Sequence, residues 1–219
     1  AVAVLHRARG EDLRVGTAVD GLARTPDGWR VATSDGDELV DAVVLATPAP
    51  VAARLVRPLA PAAADLLAGI EHASVALAAL AVPAATAPKQ AASGFLVPRS
   101  AGLAVTAASF ASTKWAHLGG ADTDVLRVSV GHRDDPSPVD LDDDDMVALV
   151  LRDLATVLGT DVMPTEVRVT RYVDGFPQYD VGHLDRVAAL EGELRDRAPG
   201  VVVCGAALRG LGVPSCIRQ

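Results

Sequence analysis

The chain closes on VVVCGAALRGLGVPSCIRQ, residues Val201–Gln219, and this stretch decides the fold class. The β-branched run Val201–Cys204 reads as a short buried strand, followed by Gly205, Gly210 and Gly212 and then by a helix begun at Pro214. Proline suits the first turn of a helix, where its missing N–H would have found no partner. A strand leaving through glycines into a helix is the junction where α/β proteins build ligand sites. Glycine lets a ligand approach the backbone, and the N–H groups of a helix start favour an oxygen bearing negative charge. Gly210 and Gly212 are the sharpest such signal in the chain, with an ordinary tight turn as the alternative.

Working backwards, a helix around Leu184–Arg197 leads into that strand. TEVRVTRYV alternates, with Val167 and Val169 on one side and Glu166, Arg168 and Tyr172 on the other. DLDDDDMVALVLRDLATVLG is the clearest helix: aspartates complement its positive end, Met146, Leu149, Val150 and Leu154 fall at helical spacing, and Gly159 ends it. SVALAALAV, GFLVP, LAVTAASFAS and DVLRVSVGH, all between Ala73 and His132, predict an antiparallel sheet. In the last of these Leu126, Val128 and Val130 share one face, and Arg127 and Ser129 take the other. Two short helices are expected around Val51–Val56 and Ala62–Ala68. Before them LRVGTAVDGL forms extended pieces, and a hairpin turns at Ser34-Asp35-Gly36. The apolar run Asp41–Ala46 predicts a strand covered on both faces. AVAVLHRARG reads as the end of a helix stopped at Gly10, and both ends of the chain read as cut.

With 219 residues, 50% of them hydrophobic, the chain can bury a sizeable core. A formal charge of −8 argues against a nucleic-acid partner, which needs clustered lysine and arginine to neutralise phosphates. Cys204 and Cys216 match neither a disulfide framework nor a zinc spacing and read as small buried apolar residues. The aspartate run lacks the glycine and glutamate of a calcium loop, so no metal site is expected. No G-x-S-x-G nucleophile turn occurs. His183, in FPQYDVGH, reads as a hydrogen-bonding support rather than a catalyst. Neither a signal peptide nor a run of ~18 apolar residues is present.

Several stretches taken together resemble the FAD-dependent protoporphyrinogen/coproporphyrinogen oxidases of haem biosynthesis. They are AVDGLARTPDGWRV with DAVVLATPAP, GFLVPRS, ASTKWAHL, RYVDGFPQYDVGHLDRV and GLGVPSCIRQ, in the order that family has them. The likeness covers nearly the whole chain and corresponds to the C-terminal half of a family member. It implies an α/β (α+β) fold of flavin amine oxidase type, in which part of a Rossmann-like flavin domain is interrupted by an antiparallel-sheet substrate domain. The implied bounds are 1–50 for the partial FAD-binding domain, 51–183 for the substrate domain and 184–219 for the return.

Residue by residue, the resemblance implies that Val19 holds the adenine edge through its backbone, and that Ala206, Leu211, Gly212 and Val213 line the flavin. Tyr172 would lie beside the flavin, and Gly94 and Leu96 would face the tetrapyrrole. Arg99, with Lys114, Arg127 and Arg171, is a candidate partner for substrate carboxylates, and the catalytic residues stay unknown. The implied cofactor is FAD and the implied reactants are a porphyrinogen and oxygen. Hydride would pass from a meso carbon to flavin N5 until the macrocycle is aromatic. The more soluble coproporphyrinogen in the cytoplasm is the favoured substrate; peripheral membrane contact and a homodimer stay open. A flavin amine oxidase fragment and a non-catalytic remnant of a flavoprotein fold are the alternatives. The pyrophosphate-binding G-x-G-x-x-G is absent from these residues. Produced by itself, the chain is therefore expected to retain FAD well below one per chain. Flavin absorbance near stoichiometry in the purified protein would contradict this.

Overall fold

The computed structural model describes residues 12–88, 92–120 and 122–219, so the expected helix at 1–10 lies outside the described residues. In chain order come β1 (Val19–Thr25), β2 (Gly28–Thr33), β3 (Gly36–Val40), β4 (Val43–Leu45), α1 (Ala49–Val56) and α2 (Pro61–Ala68). Then follow β5 (His72–Pro83), β6 (Gly94–Leu96), β7 (Val105–Phe110), β8 (Thr123–Val130), α3 (Asp143–Leu158) and β9 (Glu166–Pro177). The chain ends with α4 (His183–Arg197), β10 (Val201–Val203) and α5 (Val213–Ile217). Among the described residues no helix is long and apolar enough to cross a membrane.

Two compact units result: the segment up to Ile70 together with Tyr179–Gln219, and Glu71–Gln178 between them. These units divide after Ile70 and after Gln178, beside the domain bounds of 50 and 183 that the resemblance implies. The reason is packing: Leu55, Val56, Ala63 and Leu67 of α1 and α2 share one core with Val187, Leu190 and Leu194 of α4. An alanine-rich amphipathic helix of eight residues has too little propensity to stand alone and stays where its apolar face is covered.

In the first unit β1, β2 and β3 form an antiparallel meander, with Ser34 and Asp35 between β2 and β3 as the sequence predicts. β4 and β10 pair in parallel, Val43 opposite Val201 and Leu45 opposite Val203. Leu45 and Val201 are buried, whereas Val44 is 65% and Val202 52% exposed. Among the described residues one face of the run at 41–46 is thus packed, the face that carries Leu45.

The second unit is a five-stranded antiparallel sheet in the order β6-β7-β8-β5-β9. Strand alternation gives β5 two unlike faces. Ala76, Ala78, Leu80 and Val82 are sealed in a core with Leu126, Val128 and Val130 of β8 and Met146, Val150 and Leu154 of α3. Val75, Leu77, Ala79 and Ala81 point the other way and stay half-buried. Helix α3 starts where Asp142 accepts a hydrogen bond from the Asp145 N–H (2.9 Å) and ends at Gly159 in the left-handed conformation (φ 69°). Leu149, expected in its apolar stripe, is half-buried at the edge.

One buried carboxylate ties α3 to the sheet. Asp153 is 3% exposed, and its Oδ2 accepts from the N–H groups of Ala104 (2.7 Å) and Val105 (3.1 Å). Asp153→Ala should therefore cost about 2 to 3 kcal/mol by leaving two backbone donors without an acceptor. Asp153→Asn, which keeps one oxygen, should cost less. Urea unfolding of the two variants checks the order, and a loss below ~0.5 kcal/mol for the alanine variant would contradict it.

Candidate functional site

The glycine-rich exit of β10 is held in place by a pair of rings that the sequence does not advertise. The Tyr179 hydroxyl donates to the Ala206 carbonyl and accepts from the Gly210 N–H (2.9 Å). Its ring stacks on His183, with centroids 4.1 Å apart and planes 12° from parallel. His183 is buried, and its Nε2 lies 2.8 Å from the Leu208 carbonyl. A carbonyl only accepts, so this nitrogen carries the proton. His183 is thus a support for the loop, as its setting in FPQYDVGH suggests. Arg209 adds a bidentate pair with Glu191 of α4, whose carboxyl the guanidinium holds below its usual range. That contribution is present at neutral pH and fades as the medium falls through the lowered carboxyl range, and exposure keeps it small.

The loop so fixed presents bare backbone. Gly210 sits at φ 131°, and a Cβ there would lie 2.8 Å from Ser215 Cβ, so glycine is required by the fold itself. At Gly212 a Cβ would meet only Pro214 Cδ at 3.8 Å, and at Gly205 nothing within 4 Å. Leu211, Val213 and Ile217 are exposed alongside. Bare backbone flanked by apolar side chains fits the flat ring of a flavin. Cys204 and Cys216 are half-buried free thiols, not the fully buried residues expected.

In the second unit the half-buried face of the sheet carries two cavities. One, of about 520 Å³, is lined by Leu77, Gly94, Leu96, Ala107, Lys114 and Arg127. The other, of about 510 Å³, is lined by Val75, Leu77, Arg99, Tyr172 and Phe176 among others. Both include Leu77 and Ser129, so they open on one surface with an apolar floor and cationic rim.

The residues singled out from the sequence divide between the units. Ala206, Leu211 and Gly212 lie in the one loop and Val213 opens α5 directly after it, while Val19 opens β1 in another sheet of the same unit. Tyr172, Gly94, Leu96 and Arg99 all line the cavities of the second unit. A Cβ at Gly94 would come within 2.3 Å of the Ala108 carbonyl oxygen, so close packing on β7 demands this glycine. Arg99 donates to Asp134 (2.5 Å), holding that carboxyl below its usual range. Arg171, one of the carboxylate candidates, is committed elsewhere: it donates to the Val139 and Leu141 carbonyls and to Asp143 at the start of α3. Tyr179 was missed because its partners lie 27 and 31 residues away in sequence.

The chain belongs to the flavin-containing amine oxidoreductase family, whose profile matches residues 1–219. Among curated relatives, it is 38% identical over 204 residues to a coproporphyrinogen III oxidase of Mycobacterium leprae, covering 93% of this chain and 44% of the relative. It is 34% identical over 206 residues to a coproporphyrinogen III oxidase of Bacillus subtilis, covering 93% and 43%. A crystal structure from Exiguobacterium sp. 255-15, provisionally named protoporphyrinogen oxidase, superposes with a TM-score of 0.87 at 28% identity, over 99% of this chain and 48% of that one. Putrescine oxidase shares the fold at 14% identity with a TM-score of 0.76, over 98% and 48%. The chain therefore spans less than half the length of these relatives.

The two loop glycines separate fold from ligand. Gly210→Ala should lower stability by about 1 to 3 kcal/mol, because its backbone is one that side chains resist. In the intact protein Gly212→Val should leave the melting temperature almost unchanged and lower flavin content. Unchanged flavin content in that variant would show that Gly212 marks only a turn.

Proposed function

We propose that this chain serves the FAD-dependent oxidation of a porphyrinogen, with oxygen as electron acceptor. The observation that carries the reading is the half-buried sheet face of the second unit. Val75 and Leu77 form an apolar floor, Tyr172 and Phe176 stand at its edge, and arginines rim it. Such a surface suits a wide apolar macrocycle with carboxylates at its periphery. The names of the relatives support the same substrate class.

Ala206, Leu211, Gly212 and Val213 would hold the flavin through backbone and apolar contact, on the loop that Tyr179 and His183 brace. When bound, the flavin supplies the two-electron acceptor that none of the twenty side chains provides. The part left to this chain is placement and exclusion of water: a half-buried floor of Val75, Leu77, Ala79 and Ala81 holds the macrocycle flat. No acid–base pair is needed on that floor.

The test is anaerobic preparation of coproporphyrinogen III and protoporphyrinogen IX, followed by fluorescence of the porphyrins formed when the intact, FAD-loaded protein and air are added. Oxidation well above the protein-free rate is expected with at least one of them; the protein-free rate with both would overturn the reading. Leu77→Trp, which fills the floor from the central strand, should lower turnover by about tenfold or more while the fold is retained by circular dichroism.

A further inference from the structure

Ala79 is opposed on both sides by arginine. Register places Arg127 of β8 directly across from it, and Arg168 of β9 directly across on the other flank. Ala78 and Leu80 face the sealed core, so Ala79 and both arginines belong to the half-buried face that carries the cavities. The row continues through Ser109 of β7 to Gly94 of β6. The next row along the strands is Leu96, Ala107, Ser129, Leu77 and Thr170, an apolar and hydroxyl-bearing strip.

Arg127 lines one cavity, Arg168 stands on the same face of the sheet outside the lining of both, and the two differ in their partners from the unit's paired arginines. Arg99 is paired with Asp134, Arg133 with Glu71 and Arg171 with Asp143. Among the described residues neither Arg127 nor Arg168 makes an ion pair or a side-chain hydrogen bond. Glu166 opposes Ala81 one row away on the same strand as Arg168, yet forms no bridge to it. Two strand spacings separate the positions, roughly 10 Å, with only an alanine methyl between them. Both side chains are exposed, so repulsion between them is largely screened, and their unpaired forks are open to an anion that lies over Ala79. Lys114, stacked on Trp115 at 4.6 Å, lines the cavity beside Arg127 and adds a third positive charge.

We infer that Arg127 and Arg168 form a carboxylate-binding row, which anchors the acidic side chains of a macrocycle lying over Leu77 and Ala107 and favours a tetracarboxylate over a dicarboxylate. The inference rests on the porphyrinogen reading above and names the residues that choose within that class. Arginine is suited to it, because its planar fork accepts a carboxylate in two parallel hydrogen bonds. Alanine at 79 leaves room for the ring edge between the two forks.

The experiment is fluorescence titration of coproporphyrin III, a stable tetracarboxylate, and of protoporphyrin IX, a dicarboxylate. The hosts are the intact FAD-loaded protein and its Arg127→Gln, Arg168→Gln and doubly substituted variants. Steady-state oxidation of the two porphyrinogens runs in parallel. Each single variant should weaken coproporphyrin III binding by about tenfold, and the double variant by more. Protoporphyrin IX binding should change by a smaller factor. KM for coproporphyrinogen III should rise in parallel with kcat little changed, and Arg54→Gln, on the surface of the first unit, should alter nothing. Unchanged binding of both porphyrins in the double variant, with its melting temperature retained, overturns the inference even if the protein oxidises porphyrinogens. Arginine-dependent binding without oxidation of either porphyrinogen supports the row and sinks the proposed function instead.

Discussion

Three residues of parallel pairing, Val43–Leu45 against Val201–Val203, hold together segments that the whole second unit separates in sequence. The pairing is extended at either end by backbone bonds from Val43 to the Gly200 carbonyl (2.8 Å) and from Cys204 to the Leu45 carbonyl (3.0 Å). So short a ladder contributes little alone. It persists because α1, α2 and α4 bury Leu45 and Val201 in a common core with Leu67, Leu190 and Leu194. Its geometric consequence is larger than its energy: it sets the glycine loop at the carboxyl end of a parallel strand, where α/β proteins place ligands.

The second unit rests on a different constraint, the period of two along β5. One set of its side chains is packed without residual exposure against α3, and Asp153 fastens that layer by answering two backbone donors. The other set is small and apolar, leaving a shallow floor that neighbouring strands furnish with charge. Packing and recognition are thus carried by alternate residues of the same strand. A one-residue slip in register would exchange them.

Much of this was legible in local sequence. Aspartates and Gly159 bound α3, and the two faces of β8 follow from Leu126, Val128 and Val130 alternating with Arg127 and Ser129. Helix capping and strand alternation are short-range effects, so a window of a few residues contains their causes. Where α1 and α2 pack depends on α4, more than a hundred residues later, which no local window contains.

By itself the sequence determined the elements, their apolar faces and the resemblance that points to a flavin oxidase. Only the tertiary structure decided which charged groups are neighbours. Arg171, a carboxylate candidate from sequence, is taken up by the start of α3, while Arg168, three residues away, is aligned with Arg127 on the other side of Ala79. Likewise the Tyr179 hydroxyl finds Ala206 and Gly210, and His183 finds Leu208. Strand register and long-range hydrogen bonds are set by how whole layers pack, and local periodicity carries no record of them.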